Sequence, residues 1–190
     1  MPSSSRTRRG VLLLLLAAVA VAGAVAAEDL TISAVTVAFR GRQLTAEAKL
    51  LPFLSPETSQ RLSSGLPTTT VWEIRLFAAR TFWPDGLKDD RRYEVTATYR
   101  PVNSDWTLQK RLDGKLLETV TVPTLSEAAE ALSRLPAFPV FTMGNHLLGK
   151  QLVVKVRCTH GTGISLGVIP TSMDTGWTRS RVFVWNGERP

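Results

Sequence analysis

The sequence predicts a mainly β domain, an antiparallel β-sandwich or partly open barrel of about eight or nine strands with two short helices. Three observations carry this expectation. Apolar and polar residues alternate with a period of two in several separate stretches, as strands with one buried and one wet face do. Turn-forming residues (Gly, Pro, Asp) punctuate those stretches at short intervals. Only two segments carry the capping residues that start a helix.

Taken in order, residues 44–50 put Leu44, Ala46, Ala48 and Leu50 on one face and Thr45, Glu47 and Lys49 on the other. The preceding DLTISAVTVAF is also strand-like, with an apolar phase that shifts between Ile32 and Val35, as a bulge or a crossing between sheets requires. Gly41, between Arg40 and Arg42, makes the link short enough for a hairpin. In SPETSQRLSSG, Ser55 can cap a short helix, Pro56 suits its first position, Glu57 complements its dipole and Gly65 ends it. Alternation returns with Trp72, Ile74 and Leu76 against Glu73 and Arg75. After the TFWPDG turn, RRYEVTATYR points Tyr93, Val95, Ala97 and Tyr99 inward.

Two strands around residues 106–111 and 116–122 flank Asp113-Gly114, a strong signal for a tight hairpin. In TLSEAAEALSRL, Thr124 and Glu127 form a capping box, Leu125, Ala128, Ala129 and Leu132 make a buried stripe, and Pro136 stops the helix. The prolines that follow predict an irregular linker to about Leu148, after which LVVKVRCTH, ISLGVIP and TRSRVFVW each read as a strand.

Residues 1–27 read as a secretory signal. MPSSSRTRRG is basic, VLLLLLAAVAVAGAVAA is uncharged, and Val25 with Ala27 or Ala24 with Ala26 offers the small side chains that cleavage needs. The expectation is therefore a single mature domain over residues 28–190, exported to the periplasm or the extracellular space. The minor alternative is a retained N-terminal membrane anchor, for which residues 11–27 sit at the short edge of the roughly 17–25 residues a span requires. No cysteine follows the apolar run, which excludes a lipoprotein anchor there, and the lone Cys158 permits no internal disulfide. The net charge of +7 includes Arg6, Arg8 and Arg9; without them 20 basic residues face 16 acidic ones, or +4, spread along the chain. Such a distribution argues against a nucleic-acid partner.

Cys158 and His160, two apart on a strand, would share a face and offer a thiolate and an imidazole to one metal. A metal wants three or four ligands, and only His146 or a distant carboxylate is left to supply the rest. Cys158 also continues the apolar face of Leu152, Val154 and Val156, which makes it a core residue. The chain has no GxSxG elbow, HExxH helix or cysteine-protease signature. GTGISLG is followed by strand and Pro170 rather than by the helix a phosphate loop needs. Asp85, Asp89 and Asp90 are neutralised by Lys88, Arg91 and Arg92, and calcium wants six to eight oxygens. No catalytic residue, cofactor or metal site is assigned. Trp72 and Tyr93 fall on core faces, whereas Phe82, Trp83, Trp106 and Trp177 lie in or beside turns, where exposed rings make binding surface. Arg80, Lys88 and Arg179 are near them in sequence and would suit a protein partner or an anionic lipid or glycan.

After the paired N-terminal strands and a short helix ending in Gly-Leu-Pro come VWEIRLFAARTFWPD, YEVTATYRPVNSDWTL, LSEAAEAL and TGWTRSRVFVW. In that order, over residues 30–187, the chain resembles the bacterial domain of unknown function 4390 family. The resemblance implies an exported single domain without an assigned activity, and it transfers no catalytic residue. MGNHLLGK departs from the pattern, so His146 has no family support. The functional expectation is a non-enzymatic envelope protein that binds another protein, or a membrane or wall component, through Phe82, Trp83, Trp106 and Trp177. The alternatives are a carrier whose sandwich or barrel opens to hold an apolar ligand or lipid and, third, a hydrolase or metal-dependent enzyme using His146, His160 and Cys158.

Overall fold

Alternation decides which way each sheet faces, and the structure begins from that constraint. The computed structural model describes residues 30–80, 84–162 and 172–187. The expected leader, Phe82, Trp83 and the strand in ISLGVIP lie outside the described residues. β1 (Thr31–Ile32) and β2 (Thr36–Arg40) both pair with one edge of β3 (Gln43–Leu51), and the phase shift between Ile32 and Val35 is the gap between them. Gly41, at φ 54°, turns β2 into β3. Leu44, Ala46, Ala48 and Leu50 are all buried, as their spacing predicts.

α1 (Pro56–Ser63) starts where the Ser55 hydroxyl accepts the Thr58 N–H at 3.2 Å. Beyond it, β4 (Thr68–Ala78) and β5 (Gly86–Arg100) pair along their length, with Trp72, Ile74 and Leu76 opposite Tyr93, Arg91 and Asp89. β6 (Asp105–Leu112) and β7 (Lys115–Val122) form the expected hairpin, in which Asp113 and Gly114 take the positive φ values of 50° and 78° that a type I′ turn requires. α2 (Leu125–Ser133) is capped by Thr124, whose hydroxyl accepts the Glu127 N–H at 3.2 Å, and it buries Ala128, Ala129 and Leu132.

The segment after α2 is not the irregular linker its prolines suggest. It is β8 (Arg134–Thr142), paired with the free edge of β3. The prolines are tolerated because β8 is itself an edge strand: an outward-facing position needs no N–H, and the pairing carries irregularities on either side of Pro139 and Thr45. A 3₁₀ turn at Asn145–Leu147 leads into β9 (Gln151–Thr162), which runs beside β4 in full register. Along the other edge of β9 lie three fragments, β10 (Ser172–Asp174), β11 (Thr178–Arg179) and β12 (Phe183–Val184).

These pieces make a sandwich, not a barrel: a four-stranded antiparallel sheet faces an eight-stranded one. The total of strands exceeds the expected eight or nine because β1 and β2, and again β10, β11 and β12, are interrupted single lanes. Edge-to-face Phe39 and Phe183, with centroids 5.6 Å apart, join β2 to β12, and Tyr93 with Phe138, at 5.0 Å, joins β5 to β8. α2 packs on β5 and β6 beside the smaller sheet, touching β3, and α1 packs on α2 and β5. One hydrophobic cluster runs through both sheets and both helices.

Trp72 is fully buried at the centre of that cluster. Trp72→Ala should lower unfolding free energy by about 3–5 kcal/mol, whereas Leu117→Ala on exposed β7 should stay within about 0.5 kcal/mol. Urea titration of both variants measures the contrast, and a Trp72→Ala loss below about 1 kcal/mol would contradict this core.

Candidate functional site

The site with the most distinctive geometry is built where the third lane of β9 breaks. Residues 172–184 follow the edge of β9 in three pieces, and at each break a side-chain hydroxyl replaces the missing backbone partner. Thr175 Oγ1 accepts the N–H of Cys158 at 3.1 Å, and Thr175 N–H donates to the Cys158 carbonyl at 3.1 Å. Ser180 Oγ accepts the N–H of Val154 at 3.1 Å, and its own N–H donates to the Val154 carbonyl at 2.8 Å. With β9 thus satisfied, the edge strand can carry extra residues without leaving a buried donor unpaired.

The extra residue at the first break sets the site. Thr175 stands at Cys158 and Thr178 at Val156, so Gly176 and Trp177 together oppose Arg157. This is a bulge whose first residue is a glycine at φ 69°, the left-handed geometry such a bulge favours. It lays the Trp177 ring against two arginines: the guanidinium carbon of Arg75 is 4.6 Å from the ring centroid and that of Arg157 is 4.9 Å away. Both are neighbours of Glu73, whose two carboxylate oxygens accept from Arg157 Nη2 at 2.9 Å each and whose Oε2 is 3.5 Å from Arg75 Nη2. Asp174 Oδ2 adds a longer contact, 3.6 Å, to Arg157 Nη1. The register of β4 against β9 brings these charges together, Glu73 facing Arg157 and Arg75 facing Lys155. Cation–π contacts of this kind contribute about 0.5–1 kcal/mol each at exposed sites. Trp177 is held by both and still leaves 40% of its surface exposed.

Of the four aromatics expected to form a binding surface, Trp177 is therefore exposed and Trp106 is not. Trp106 is only 8% exposed, its Nε1–H donates to the Leu62 carbonyl at 3.3 Å, and Tyr99 stacks on it at 4.7 Å. The turn beside it suggested exposure, but Trp106 shares its parity with buried Leu108, and α1 covers that face. Phe82 and Trp83 lie outside the described residues. The neighbours Glu73, Arg75 and Arg157 went unnoticed in the sequence; alternation marked Glu73 and Arg75 as outward, but nothing local indicated which strand would lie beside them.

Two of the three reactive side chains, Cys158 and His160, are packed in the core. They do share the inner face of β9, and both are buried. Burial pushes the Cys158 thiol far up, with Asp174 adding to the shift, so the thiolate that nucleophilic chemistry needs is suppressed. His160 Nδ1 is hydrogen-bonded to Thr70 Oγ1 at 2.9 Å, and the Phe53 ring meets the imidazole edge-on at 4.9 Å. His146 is exposed on the turn before β9, at the opposite end of that strand from His160. Among the described residues no three His, Cys, Asp or Glu side chains gather closely enough to hold a metal ion. Asp85 and Asp89 do not form an ion site together: Asp85 pairs with Lys155 at 2.8 Å and Asp89 with Arg91 at 2.7 Å.

A family model described as "Domain of unknown function (DUF4390)" matches residues 27–162. The chain belongs to that family. No curated protein and no solved structure matches it. The matched range carries the DUF4390 domain from its first strands to the end of β9, and so includes Glu73, Arg75 and Arg157. Trp177 and Trp185, which contribute to the sequence resemblance, lie beyond it.

Burial, with a smaller contribution from the charge of Arg61, lowers the His160 pKa to about 4, below the ordinary histidine value of about 6.5. Between those values the unfolded chain takes up a proton that the folded one refuses, so stability is full above about pH 6.5 and is lost as pH falls toward 4. Between pH 7 and pH 5 the loss should be about 2 kcal/mol. Urea midpoints at the two pH values should differ in the wild type and converge in His160→Gln; an equal pH dependence in both would assign the effect elsewhere.

Proposed function

We propose that this DUF4390 protein is exported to the cell envelope and acts there as a binding module without catalytic chemistry, engaging another envelope protein through the surface around Trp177. The observation that carries this reading is the Trp177 ring, 40% exposed yet fixed by the guanidiniums of Arg75 and Arg157. Tryptophan and arginine are the residues most enriched at energetic centres of protein interfaces, because each offers a large contact area with directional polar groups at its edge. A ring already immobilised loses little rotamer entropy when a partner covers it. Glu73 and Asp174 balance the two arginines locally, which suits a mixed protein surface better than a uniformly anionic one. Export rests on the basic, apolar and small-residue order of residues 1–27.

Two measurements test the proposal. The chain recovered from a fractionated native host should lie outside the cytoplasm and begin near Ala27 or Glu28; an intact N-terminus in the cytosol would refute export. Trp177→Ala should lose at least about 90% of the envelope protein that cross-links to the wild type, while losing only the roughly 1–2 kcal/mol of stability its two cation–π contacts supply. Trp177→Phe, which keeps a ring, should retain part of the cross-linking. Equal recovery with Trp177→Ala would remove this surface from the binding function, and recovery of a membrane or wall component instead would reassign the partner.

A further inference from the structure

On the outer face of the large sheet several basic residues have acidic partners: Lys155 has Asp85 at 2.8 Å, Arg157 has Glu73 at 2.9 Å and Arg75 has Glu73 at 3.5 Å. The pattern changes at the end of the sheet where β4 stops and β5 and β9 start. Arg80 lies just past β4, Lys88 sits near the start of β5 and Lys150 immediately precedes β9, so three strand ends each deliver one cation, the third from some 60 residues further along the chain. All three line one open cleft of about 290 Å³, with Ala78, Ala79 and Gln151 completing its wall. None of the three forms an ion pair among the described residues. The carboxylate in that corner is engaged elsewhere: Asp85 Oδ2 is bound by Lys155, and its Oδ1 accepts the backbone N–H of Arg80 at 3.3 Å.

Gly86 leaves room for the Arg80 guanidinium. A Cβ on Gly86 would stand 3.3 Å from Arg80 Nη2 and 3.6 Å from its Cζ, so the guanidinium rests in the space that a side chain at position 86 would crowd. Three like charges gathered round a cleft repel one another until an anion enters. Small alanine side chains leave the space open, and Gln151, on the cleft wall, carries an amide that can donate. At roughly 30 Å³ per water, the volume is that of about ten waters, room for a phosphate group carrying a small substituent.

We propose that this cleft is a phosphate-binding site, in which Arg80, Lys88 and Lys150 hold the oxyanion and Gln151 donates to it. It is distinct from the Trp177 surface, and neither reading depends on the other. The phosphate belongs either to a soluble phosphate ester or to a phospholipid headgroup, and two probes separate these. The purified protein is titrated with inorganic phosphate at low salt, followed by the backbone amide resonances of Ala79, Arg80 and Gln151, and is separately sedimented with phosphatidylglycerol vesicles. Arg80→Gln, Lys88→Gln and Lys150→Gln should each weaken binding about tenfold, the loss of one charge-assisted contact. Lys115→Gln on β7 should leave it within about twofold of wild type, since Lys115 is outside the cleft. Saturation by free phosphate assigns a soluble ligand, and vesicle binding alone assigns a headgroup. The proposal is overturned if neither probe binds, or if Lys115→Gln weakens binding as much as the cleft variants do, which would mark general attraction between opposite charges.

Discussion

A sheet six lanes wide has one face to bury and only a three-lane sheet to bury it under. In the large sheet those lanes are the fragments β10 to β12, then β9, β4, β5, β6 and β7; in the small one they are β1 with β2, then β3 and β8. The mismatch governs much of the rest. The small sheet covers the β9 side, pinned at its two edges by Phe39 on Phe183 and Phe138 on Tyr93. The helices exist to extend that cover, α2 lying on β5 and β6 and α1 closing over Trp106. β7 is left with its residues exposed except the last, an edge whose Lys115 and neighbouring register shift discourage strand addition.

The opposite edge is handled differently. A continuous strand along β9 would satisfy every donor but would keep its side chains in strict alternation. Breaking that strand, with Thr175 and Ser180 hydroxyls substituting for backbone carbonyls, keeps the ladder satisfied while allowing bulges. The first bulge turns Trp177 onto the charged outer face, where Arg75, Arg157 and Glu73 hold it. A surface tryptophan fixed in this way ties the edge fragment to the sheet and leaves a rigid apolar plate bordered by donors.

The same alternation places Cys158 and His160 in the core. They occupy the inner face because β9 alternates, and burial there disfavours both the thiolate and the imidazolium. Position on the sheet, more than residue type, determines what these side chains do.

Alternation, capping and turn chemistry are properties of neighbours in the chain, so they were legible without coordinates: the inward faces of β3, β4 and β5, the Ser55 and Thr124 caps, the Asp113-Gly114 hairpin and the core role of Cys158. Family membership was legible for the same reason, in ordered local segments. Three things were not. Prolines 136 and 139 concealed β8, because whether a proline is tolerated depends on a strand being at an edge. Trp106 sits beside a turn in sequence, and only the docking of α1 buries it. And the convergence of Arg80, Lys88 and Lys150, or of Glu73, Arg75 and Arg157 under Trp177, depends on the pairing of β4 with β9 across some 80 residues of chain. Sequence by itself determined which face of each strand is apolar, since that is written in consecutive side chains; only the tertiary structure decided which polar faces meet, because strand register is set by the packing of the whole core.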